Sequence, residues 1–494
     1  MRFLHSILTG IVALCVSTRV YSQTNKAQDS TTYKIGLFAS AATGDNTPFW
    51  MVSNRYGVVP LDAGNGVLEA GVFHSQHLGN KLRWGAALDV AAAAPRNRNV
   101  FIQQAYAEIG YRSLLLFVGS QERYNSLRDK RLSSGDMVQS ANARPIPEIN
   151  LSIPEFAVVP LTKGWLQVKG DFAIGKSFDT NYLEDFSGVN QMYVKDVLWH
   201  HKSLFFRIKD TKNGFPLSLT LGAQHFAQWG GTSINPKIGE QPRSFKDMMR
   251  VVFGKAGGED ATFADRYNVL GSHFGAYDFQ LSYTAKDWIG HIYYQHYFND
   301  RSGIEFENKC DGLWGIQIEL SQTPWLNKIV GEYLVTMNQS GPIHYIMFDH
   351  DEWEGARGGG DDDYYNNKEY TTGLSYFNRG IGSPLIISPE YNEKGRLGFK
   401  NNRLRSWHIG AEGIINTHLS YRALFTVMNG WGTSYSPFLN KKHGMSALID
   451  ICYTHQRLKG WQFVGSIATD TGTMVGRSVG FSLGISKTGL LKAW

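Results

Sequence analysis

Apolar and polar residues alternate with a period of two over many short segments from about residue 160 to the end of the chain. Clear examples are residues 217–223, 314–320, 419–427 and 479–485. Successive side chains of a β-strand point to opposite faces, so each of these segments has one apolar wall and one polar wall. Many such segments together predict an all-β fold, a transmembrane antiparallel β-barrel.

The pattern predicts sixteen to eighteen strands, and antiparallel closure favours an even number, so we expect about 18. Eighteen strands of about 10 residues would use about 180 positions, and the remainder predicts long outer loops and an insert that occludes the lumen. The candidate strands lie near residues 67–78, 82–92, 101–111, 114–122, 164–177, 198–209, 216–226, 276–284, 288–298, 312–321, 328–338, 368–377, 404–415, 418–428, 443–455, 460–468 and 476–486.

Three stretches depart from the strand pattern. The residues from Asn125 to Pro160 combine a run of charges with four prolines, which predicts a long loop or part of a lumen insert. Between Ser244 and Phe253 the apolar residues have helical spacing, which predicts a short surface helix. Trp494 has the wrong parity for the last strand, so either a bulge intervenes or Gly489 to Trp494 is a tail.

The beginning of the chain indicates export. Residues 1–22 combine Arg2, an apolar stretch and a small-residue cleavage site, which predicts a signal peptide, with a single barrel domain over residues 23–494. These 22 residues hold two basic residues and no acidic ones, so the net charge falls from +6 to +4, too mild to suggest nucleic acid as a partner. No later stretch approaches the roughly 20 apolar residues of a spanning helix. Cys310 and Cys452 either pair or stay unpaired.

Two catalytic motifs match the sequence formally but lack the required context. The segment Gly170 to Ser177 has phosphate-loop spacing, yet it continues a strand and no helical pattern follows. The segment Gly480 to Gly484 has nucleophile-elbow spacing around Ser482, yet the serine lies within a strand and no histidine follows it. The histidines show no metal-binding spacing. The chain is therefore predicted not to be an enzyme, and no cofactor or metal is implied.

The most distinctive loop runs from Asp349 to Asn367 and mixes carboxylates with aromatic rings. Carboxylates accept hydrogen bonds from sugar hydroxyls and aromatic rings stack on sugar faces, so this loop is a candidate polysaccharide-binding site. The candidate residues are Asp349, Asp351, Trp353, Asp362, Tyr364 and Tyr365. An ordinary solvated loop is an equally good interpretation, and a calcium site around Asp349, Asp351 and Gly355 is a third.

Several stretches, taken in order, resemble the Wzi family of outer-membrane capsule assembly proteins in its Bacteroidetes-type form. No single stretch is specific, but their order and spacing along nearly the whole mature chain are. The main ones are Pro48–Trp50, Asn54–Gly57, Phe117–Gly119, Ser140–Pro147, Leu198–His201, Asn268–His273, Tyr294–Gly315, Gly331–Tyr333, Asn338–Pro342 and Tyr364–Asn367.

The resemblance implies an eighteen-stranded barrel, partly occluded inside, that acts as a lectin for capsular polysaccharide in the outer membrane of a Gram-negative bacterium. We therefore expect a monomer whose partners are surface polysaccharide and the lipid bilayer. One alternative is a porin or saccharide channel, because residues such as Lys169, Asp171, Glu332 and Arg422 could line water. A hydrolase is a weaker alternative, since the sequence shows no converging acid, base and nucleophile.

Overall fold

The computed structural model describes residues 29–95, 100–188, 191–211, 214–342, 344–346 and 357–494. Eighteen antiparallel strands form one closed sheet in which each strand pairs with the next along the chain, and the last pairs with the first. In chain order these are β1 Ser30–Asn46, β2 Asp62–Leu78, β3 Leu82–Ala94, β4 Val100–Tyr111, β5 Leu114–Ser120, β6 Glu148–Val158, β7 Leu166–Lys176, β8 Leu198–Lys209, β9 Leu217–Trp229, β10 Ser272–Thr284, β11 Trp288–Phe298, β12 Gly312–Leu320, β13 Lys328–Val335, β14 Leu404–Ile414, β15 Leu419–Gly432, β16 Pro437–Thr454, β17 Trp461–Gly472 and β18 Ser478–Ala493. The predicted eighteen-stranded barrel is confirmed.

The described helices are short and lie in the connections between strands. They are α1 Phe49–Val52, α2 Thr180–Phe186, α3 Phe245–Val252, α4 Phe263–Tyr267 and α5 Arg301–Ile304, with two 3₁₀ turns at Pro389–Tyr391 and Glu393–Gly395. Two-stranded ribbons pair Val194–Lys195 with Thr232–Ser233, His344–Ile346 with Arg357–Gly359, and Ser375–Tyr376 with Arg379–Gly380. Within the described residues, no helix is long and apolar enough to cross a membrane.

The alternation of the strands separates an outer apolar surface from a polar lumen. On β18, Phe481 and Leu483 are exposed on the outside of the barrel, whereas Ser482 between them is buried. Ser482 lies opposite Ser40 of β1 and Ser466 of β17, so the inward row of three neighbouring strands is polar. This is the expected pattern for a barrel that has lipid outside and protein or water inside.

The two ends of the barrel have connections of different length. At the end where β1 begins and β18 finishes, the turns are short, as in residues 79–81 and 112–113. At the other end the connections are long and include residues 121–147, 230–271 and 336–403. Outer-membrane barrels have short periplasmic turns and long extracellular loops, so the long connections lie on the extracellular side.

The structure corrects two predicted boundaries. Residues 148–158, expected within a loop or insert, form β6, and Pro154 falls where the pairing with β7 is interrupted between Ile153 and Ala157. Proline is tolerated at such an interruption because no ladder hydrogen bond is required of it. Residues 368–377, expected to form a strand, lie in the connection between β13 and β14, where only Ser375–Tyr376 is extended.

Two other predictions of local structure are confirmed. The helix expected between Ser244 and Phe253 is α3, and its first turn is fixed by a capping box in which Ser244 and Asp247 bond each other's backbone N–H. The parity problem at Trp494 is resolved by a bulge: Thr31 faces Lys492 and Thr32 faces Leu490, which leaves Leu491 as an extra residue.

Candidate functional site

Three long connections fold back into the barrel and fill its extracellular half. They are residues 47–61, 121–147 and 360–403, and we call them the lumen inserts. Their apolar side chains, together with inward residues of the wall, form the main hydrophobic core of the molecule. Trp50 illustrates the packing, since its ring contacts His408 of β14 and its Nε1 donates to Thr426 Oγ1 of β15 at 3.0 Å. The core of this protein therefore lies inside the barrel.

The second insert, residues 121–147, is fastened to the wall by polar side chains of the strands. Glu332 of β13 accepts hydrogen bonds from the Ser133 hydroxyl and the Ser134 N–H, each at 2.6 Å. Gln295 of β11 accepts from the Met137 N–H at 2.7 Å. A buried carboxylate is stable only when it is hydrogen-bonded, and the bonds from Ser133 and Ser134 meet this requirement for Glu332. Glu332, which the sequence suggested as a water-lining residue, is instead bonded to the insert.

The third insert, residues 360–403, is bonded to the second. The Ser140 hydroxyl donates to the Gly382 carbonyl oxygen at 2.7 Å, and Asn142 Nδ2 donates to the Gly380 carbonyl oxygen at 2.9 Å. Arg379 reaches the first insert, where it donates to the carbonyl oxygens of Val52 and Val59. The inserts thus hold one another as well as the wall, and the predicted lumen-occluding insert is confirmed.

Beneath the inserts the lumen keeps a chamber of about 1120 Å³. Ser30, His77, Gly460 and Leu490 line its mouth, which places the opening at the periplasmic end. Lys169 and Asp171 line the chamber, as expected for lumen-facing residues of β7. Asp171 forms an ion pair with Arg123, 3.1 Å from its Nη1, and a hydrogen bond of 2.7 Å with His201 Nδ1.

The candidate residues of the distinctive loop fall into two groups. Asp349, Asp351 and Trp353 lie outside the described residues, as does the alternative calcium loop around Gly355. Tyr364 and Tyr365 are fully buried within the third insert, and Asp362 is almost fully buried. In the part of the chain that is described, no cluster of three or more His, Cys, Asp and Glu side chains is arranged to hold a metal ion.

The burial of Tyr364 and Tyr365 corrects the expectation that their rings face solvent. The Tyr364 hydroxyl accepts from Asn308 Nδ2 at 2.7 Å. The Tyr365 hydroxyl donates to the Met137 carbonyl oxygen and accepts from the Ser383 N–H at 2.9 Å. Burial raises the pKa of both hydroxyls well above the ordinary value. Tyr365 links the third insert to the second, Tyr364 links the third insert to the connection between β11 and β12, and neither ring has a face open to a sugar.

Several polar side chains, some buried and some exposed, lie near these tyrosines in sequence or in space. Asp362 accepts from the Ser340 hydroxyl at 2.7 Å and is hydrogen-bonded to Asp300 at the N-terminus of α5. Asp361 and Asp363 flank it and are partly exposed. We call Asp300, Asp361, Asp362, Asp363, Lys368 and Tyr435 the outer patch.

Tyr435 supplies the exposed aromatic ring of this patch. It lies in the turn between β15 and β16, and its side chain is 57% exposed. Lys368 Nζ lies 5.5 Å from the centre of the ring. Burial and the charges of Asp361 and Asp363 raise the pKa of the Tyr435 hydroxyl. The turn requires a glycine at 432, where φ is +83° and a Cβ would meet the Ser436 carbonyl oxygen at 2.5 Å.

Asp362 of the patch and the buried Asp311 have raised pKa values. Burial, followed by the charge of Asp300, raises the pKa of Asp362 to about 8. Burial also raises the pKa of Asp311 to about 6, although the N–H groups of Met337, Asn338 and Gln339 oppose the shift. A carboxyl group that remains protonated near neutral pH can donate a hydrogen bond as well as accept one.

The sequence did not single out Tyr435, Lys368 or Asp300. A signal for Tyr435 was present, because an aromatic residue in a short polar turn between two strands has no core to enter. Lys368 directly follows the loop that the sequence singled out, whereas Asp300 carried no comparable signal, since only the fold brings it to Asp362.

The two formal catalytic motifs lie within strands, as the sequence predicted. Gly170 to Lys176 belong to β7, and Ser482 is a buried inward residue of β18. Neither a phosphate-binding turn nor a nucleophile elbow is present at these positions.

Comparison with known proteins decides the family. Residues 21–385, about three quarters of the chain, match the family model described as Capsule assembly protein Wzi. The chain belongs to the Wzi family. Its barrel therefore lies in the outer membrane, as the sequence predicted.

Among solved structures, the Escherichia coli Wzi is similar in fold. It is described as an outer membrane protein involved in group 1 capsule assembly and as a carbohydrate-binding β-barrel. The two chains share 12% identity with a TM-score of 0.57, over 92% of this chain and 83% of the E. coli protein.

Two further barrels also align with this chain. OccK5 (OpdH) of Pseudomonas aeruginosa has 9% identity and a TM-score of 0.46, over 94% of this chain and 98% of its own. OccAB4 of Acinetobacter baumannii has 10% identity and a TM-score of 0.44, over 94% of this chain and 99% of its own. No protein of curated function matches the sequence.

Proposed function

We propose that this Wzi-family barrel binds surface polysaccharide on its extracellular side and holds it at the cell, without catalysing a reaction. The observation that carries the proposal is that the inserts are packed into the extracellular half of the lumen and bonded to its wall, while polar and aromatic side chains of the outer patch remain exposed. The family supports a role in capsule assembly, and the E. coli relative is described as carbohydrate-binding.

We propose the outer patch as part of the contact surface. Asp361 and Asp363 can accept hydrogen bonds from sugar hydroxyls, and the Tyr435 ring can stack on the apolar face of a sugar. Asp349, Asp351 and Trp353 belong to the same connection between β13 and β14, and we propose that they extend this surface. Each contact is weak, so retention of a long polymer depends on many contacts and many copies of the protein.

We propose that the protein works as a monomer. The eighteen strands close on themselves through β1 and β18, so no barrel strand offers a free edge to another chain.

The chamber of about 1120 Å³ favours a second candidate, a saccharide channel. A channel would require the inserts to move aside, because they are bonded to the wall and to one another on the extracellular side. Single-channel recording in planar bilayers tests this. A steady conductance in most insertions would support the channel, whereas a silent barrel supports the surface lectin.

The test of the lectin proposal compares Tyr435→Ala with Tyr435→Phe in a strain that lacks the native protein. The alanine variant loses the stacking surface, so we expect weaker polysaccharide binding by on the order of 1 kcal/mol per contact, about fivefold, and more capsule in the medium. The phenylalanine variant keeps the ring and should bind nearly as well as the parent.

Trp325→Ala provides a matched control, since Trp325 is an exposed aromatic in a periplasmic turn. It should leave retention unchanged. If Tyr435→Ala retains polysaccharide as well as Trp325→Ala does, the outer patch is not the contact surface. Trp353→Ala then tests the neighbouring loop separately.

A further inference from the structure

On one side of the barrel, the exposed apolar surface extends over only a short distance along the membrane normal. On β9 the outward side chains Leu217, Leu219 and Leu221 are exposed, but Ala227 and Trp229, farther along the same outward row, are buried. The bare row from Leu217 to Ala223 spans about 20 Å along the strand and about 15 Å along the membrane normal, given the usual strand tilt. Outer-membrane barrels present an apolar band about 25 Å tall, so this side lacks much of that height.

The connection between β9 and β10 covers the buried part of this outward row. Helix α3 packs Val251 and Met248 against Ala227 and Trp229, on the outside of the barrel. Leu198, an outward residue of β8, belongs to the same cluster. Residues 244–270 therefore lie along the outer wall.

Polar contacts fix this connection in place. Lys202, outward on β8, donates to the Val252 carbonyl oxygen. His273 Nε2 donates to the Leu270 carbonyl oxygen at 2.8 Å, and His273 Nδ1 lies 2.8 Å from His225 Nε2. These histidines sit on the outward rows of β10 and β9, beneath the connection, so the connection is docked on the wall at both of its ends.

Three phenylalanines of the connection are exposed instead of packed on the wall. Phe245, Phe253 and Phe263 are 75%, 65% and 73% exposed. The neighbouring connection between β11 and β12 adds exposed Ile304 and Phe306, and the Phe306 ring stacks on His296 with 4.2 Å between centres. We call residues 244–270, together with Ile304 and Phe306, the outer collar. Large exposed apolar side chains concentrated in two neighbouring connections indicate an interaction surface.

The charges favour acyl chains over charged headgroups as the partner. Residues 244–270 contain four Lys and Arg and four Asp and Glu, so this segment of the collar offers no net charge to an anionic surface. The collar is also continuous with the lipid-facing rows of β8 and β9, on which it packs. Aromatic side chains are common at the boundary between hydrocarbon and headgroups.

We propose that the outer collar lies in the outer leaflet, with Phe245, Phe253 and Phe263 among the lipid acyl chains close to the headgroups. The collar completes the apolar belt on the side where the strands alone are too short. The extracellular loops of this side thus serve as a membrane anchor, and polysaccharide contact is left to the outer patch.

Site-directed spin labelling of the full chain in phosphatidylcholine vesicles tests this. Cys310→Ser removes the exposed native cysteine, while Cys452 is buried and stays unlabelled. Labels are then placed singly at Phe253→Cys and Phe263→Cys. Leu483→Cys, on the lipid-facing row of β18, is the control in lipid, and Leu439→Cys, fully exposed on the extracellular part of β16, is the control in water. Accessibility is measured with oxygen, which concentrates in lipid, and with a water-soluble nickel chelate.

We expect the ratio of oxygen to nickel accessibility at 253 and 263 to be at least severalfold higher than at 439 and to approach that at 483. A ratio equal to that at 439 would place the collar in water and overturn the proposal. Dipolar broadening between labels that disappears on dilution in lipid would show a second copy as the occupant and would overturn it as well. Each label replaces one side chain on an open face, and heat-modified gel migration checks that every variant is folded.

Discussion

Arg128 of the second lumen insert and Asp278 of β10 form an ion pair inside the barrel, with 2.6 Å between Nη2 and Oδ1 and both side chains almost fully buried. The guanidinium also lies 4.3 Å from the centre of the Tyr293 ring. The pair fixes the insert to the wall in a place that water does not reach.

Replacing only one partner of this pair should loosen the insert. Arg128→Met leaves Asp278 without its ion pair, and losing one partner of a buried pair costs about 3–5 kcal/mol. We expect the temperature at which the barrel loses its compact gel migration to fall, and openings to appear in bilayer recordings.

The double variant Arg128→Met with Asp278→Asn is the matched comparison, because it removes both charges. It should recover part of the lost stability. An Arg128→Met variant as stable and as silent as the parent would show that the pair does not hold the insert.

The closed position of the third insert should depend on pH through Asp362. Its pKa is raised to about 8 in the closed state, whereas a solvated aspartate has a pKa near 3.8. The closed state therefore binds a proton that the opened state releases, so closure is most stable below about pH 4 and weakens as the pH rises to about 8.

Hydrogen exchange at the Asp361 and Asp362 amides measures this closure, since these N–H groups donate to the carbonyl oxygens of Gly341 and Gln339. After correction for intrinsic rates, we expect protection to fall between pH 6.5 and 8.5. Asp362→Asn keeps a side-chain oxygen for Ser340 and removes the charge, so its protection should stay level in that range. The same fall in both proteins would assign the effect to another group.

The native cysteines report the orientation of the barrel. Cys310 is exposed in the connection between β11 and β12, while Cys452 is buried in the lumen beside Gln462, and the structure shows no disulfide between them. An impermeant maleimide should label Cys310 on intact cells that lack capsule, and should leave the Cys310→Ser variant unlabelled. Labelling that appears only after the outer membrane is broken would reverse the orientation.

The two formal catalytic motifs should be dispensable. Lys176 Nζ forms a solvent-exposed ion pair with Asp196 at 2.9 Å, a kind of pair that contributes about 0–1 kcal/mol. Ser482 is one of a row of small inward residues. We expect Lys176→Ala and Ser482→Ala to retain polysaccharide like the parent at equal protein levels in the membrane. Loss of retention by a folded variant would reopen the enzymatic interpretation.

Most of the strands could be predicted from the sequence, because the alternation of apolar and polar residues depends only on neighbouring positions in the chain. Residues 479–485 show the period of two directly, and their outward row is the exposed one in the structure. β1 was missed, and residues 148–158 were assigned to a loop or insert, because small residues and Pro154 weaken the same signal. For the candidate site, the sequence identified the acidic segment around Asp362 but not Asp300 and Tyr435, which are distant in the chain.

The sequence by itself determined the barrel, the approximate number of its strands, the direction in which each row faces and the short helix α3. These features follow from periodicities of two and of about four residues, which depend only on neighbours in the chain. The tertiary structure alone decided that Tyr364 and Tyr365 enter the lumen, that the segment carrying Phe245 and Phe253 packs on the outer wall, and that the Tyr435 ring lies 5.5 Å from Lys368 Nζ. A polar, aromatic-rich connection can fold inward, outward or into solvent, and only contacts with distant strands select among these positions.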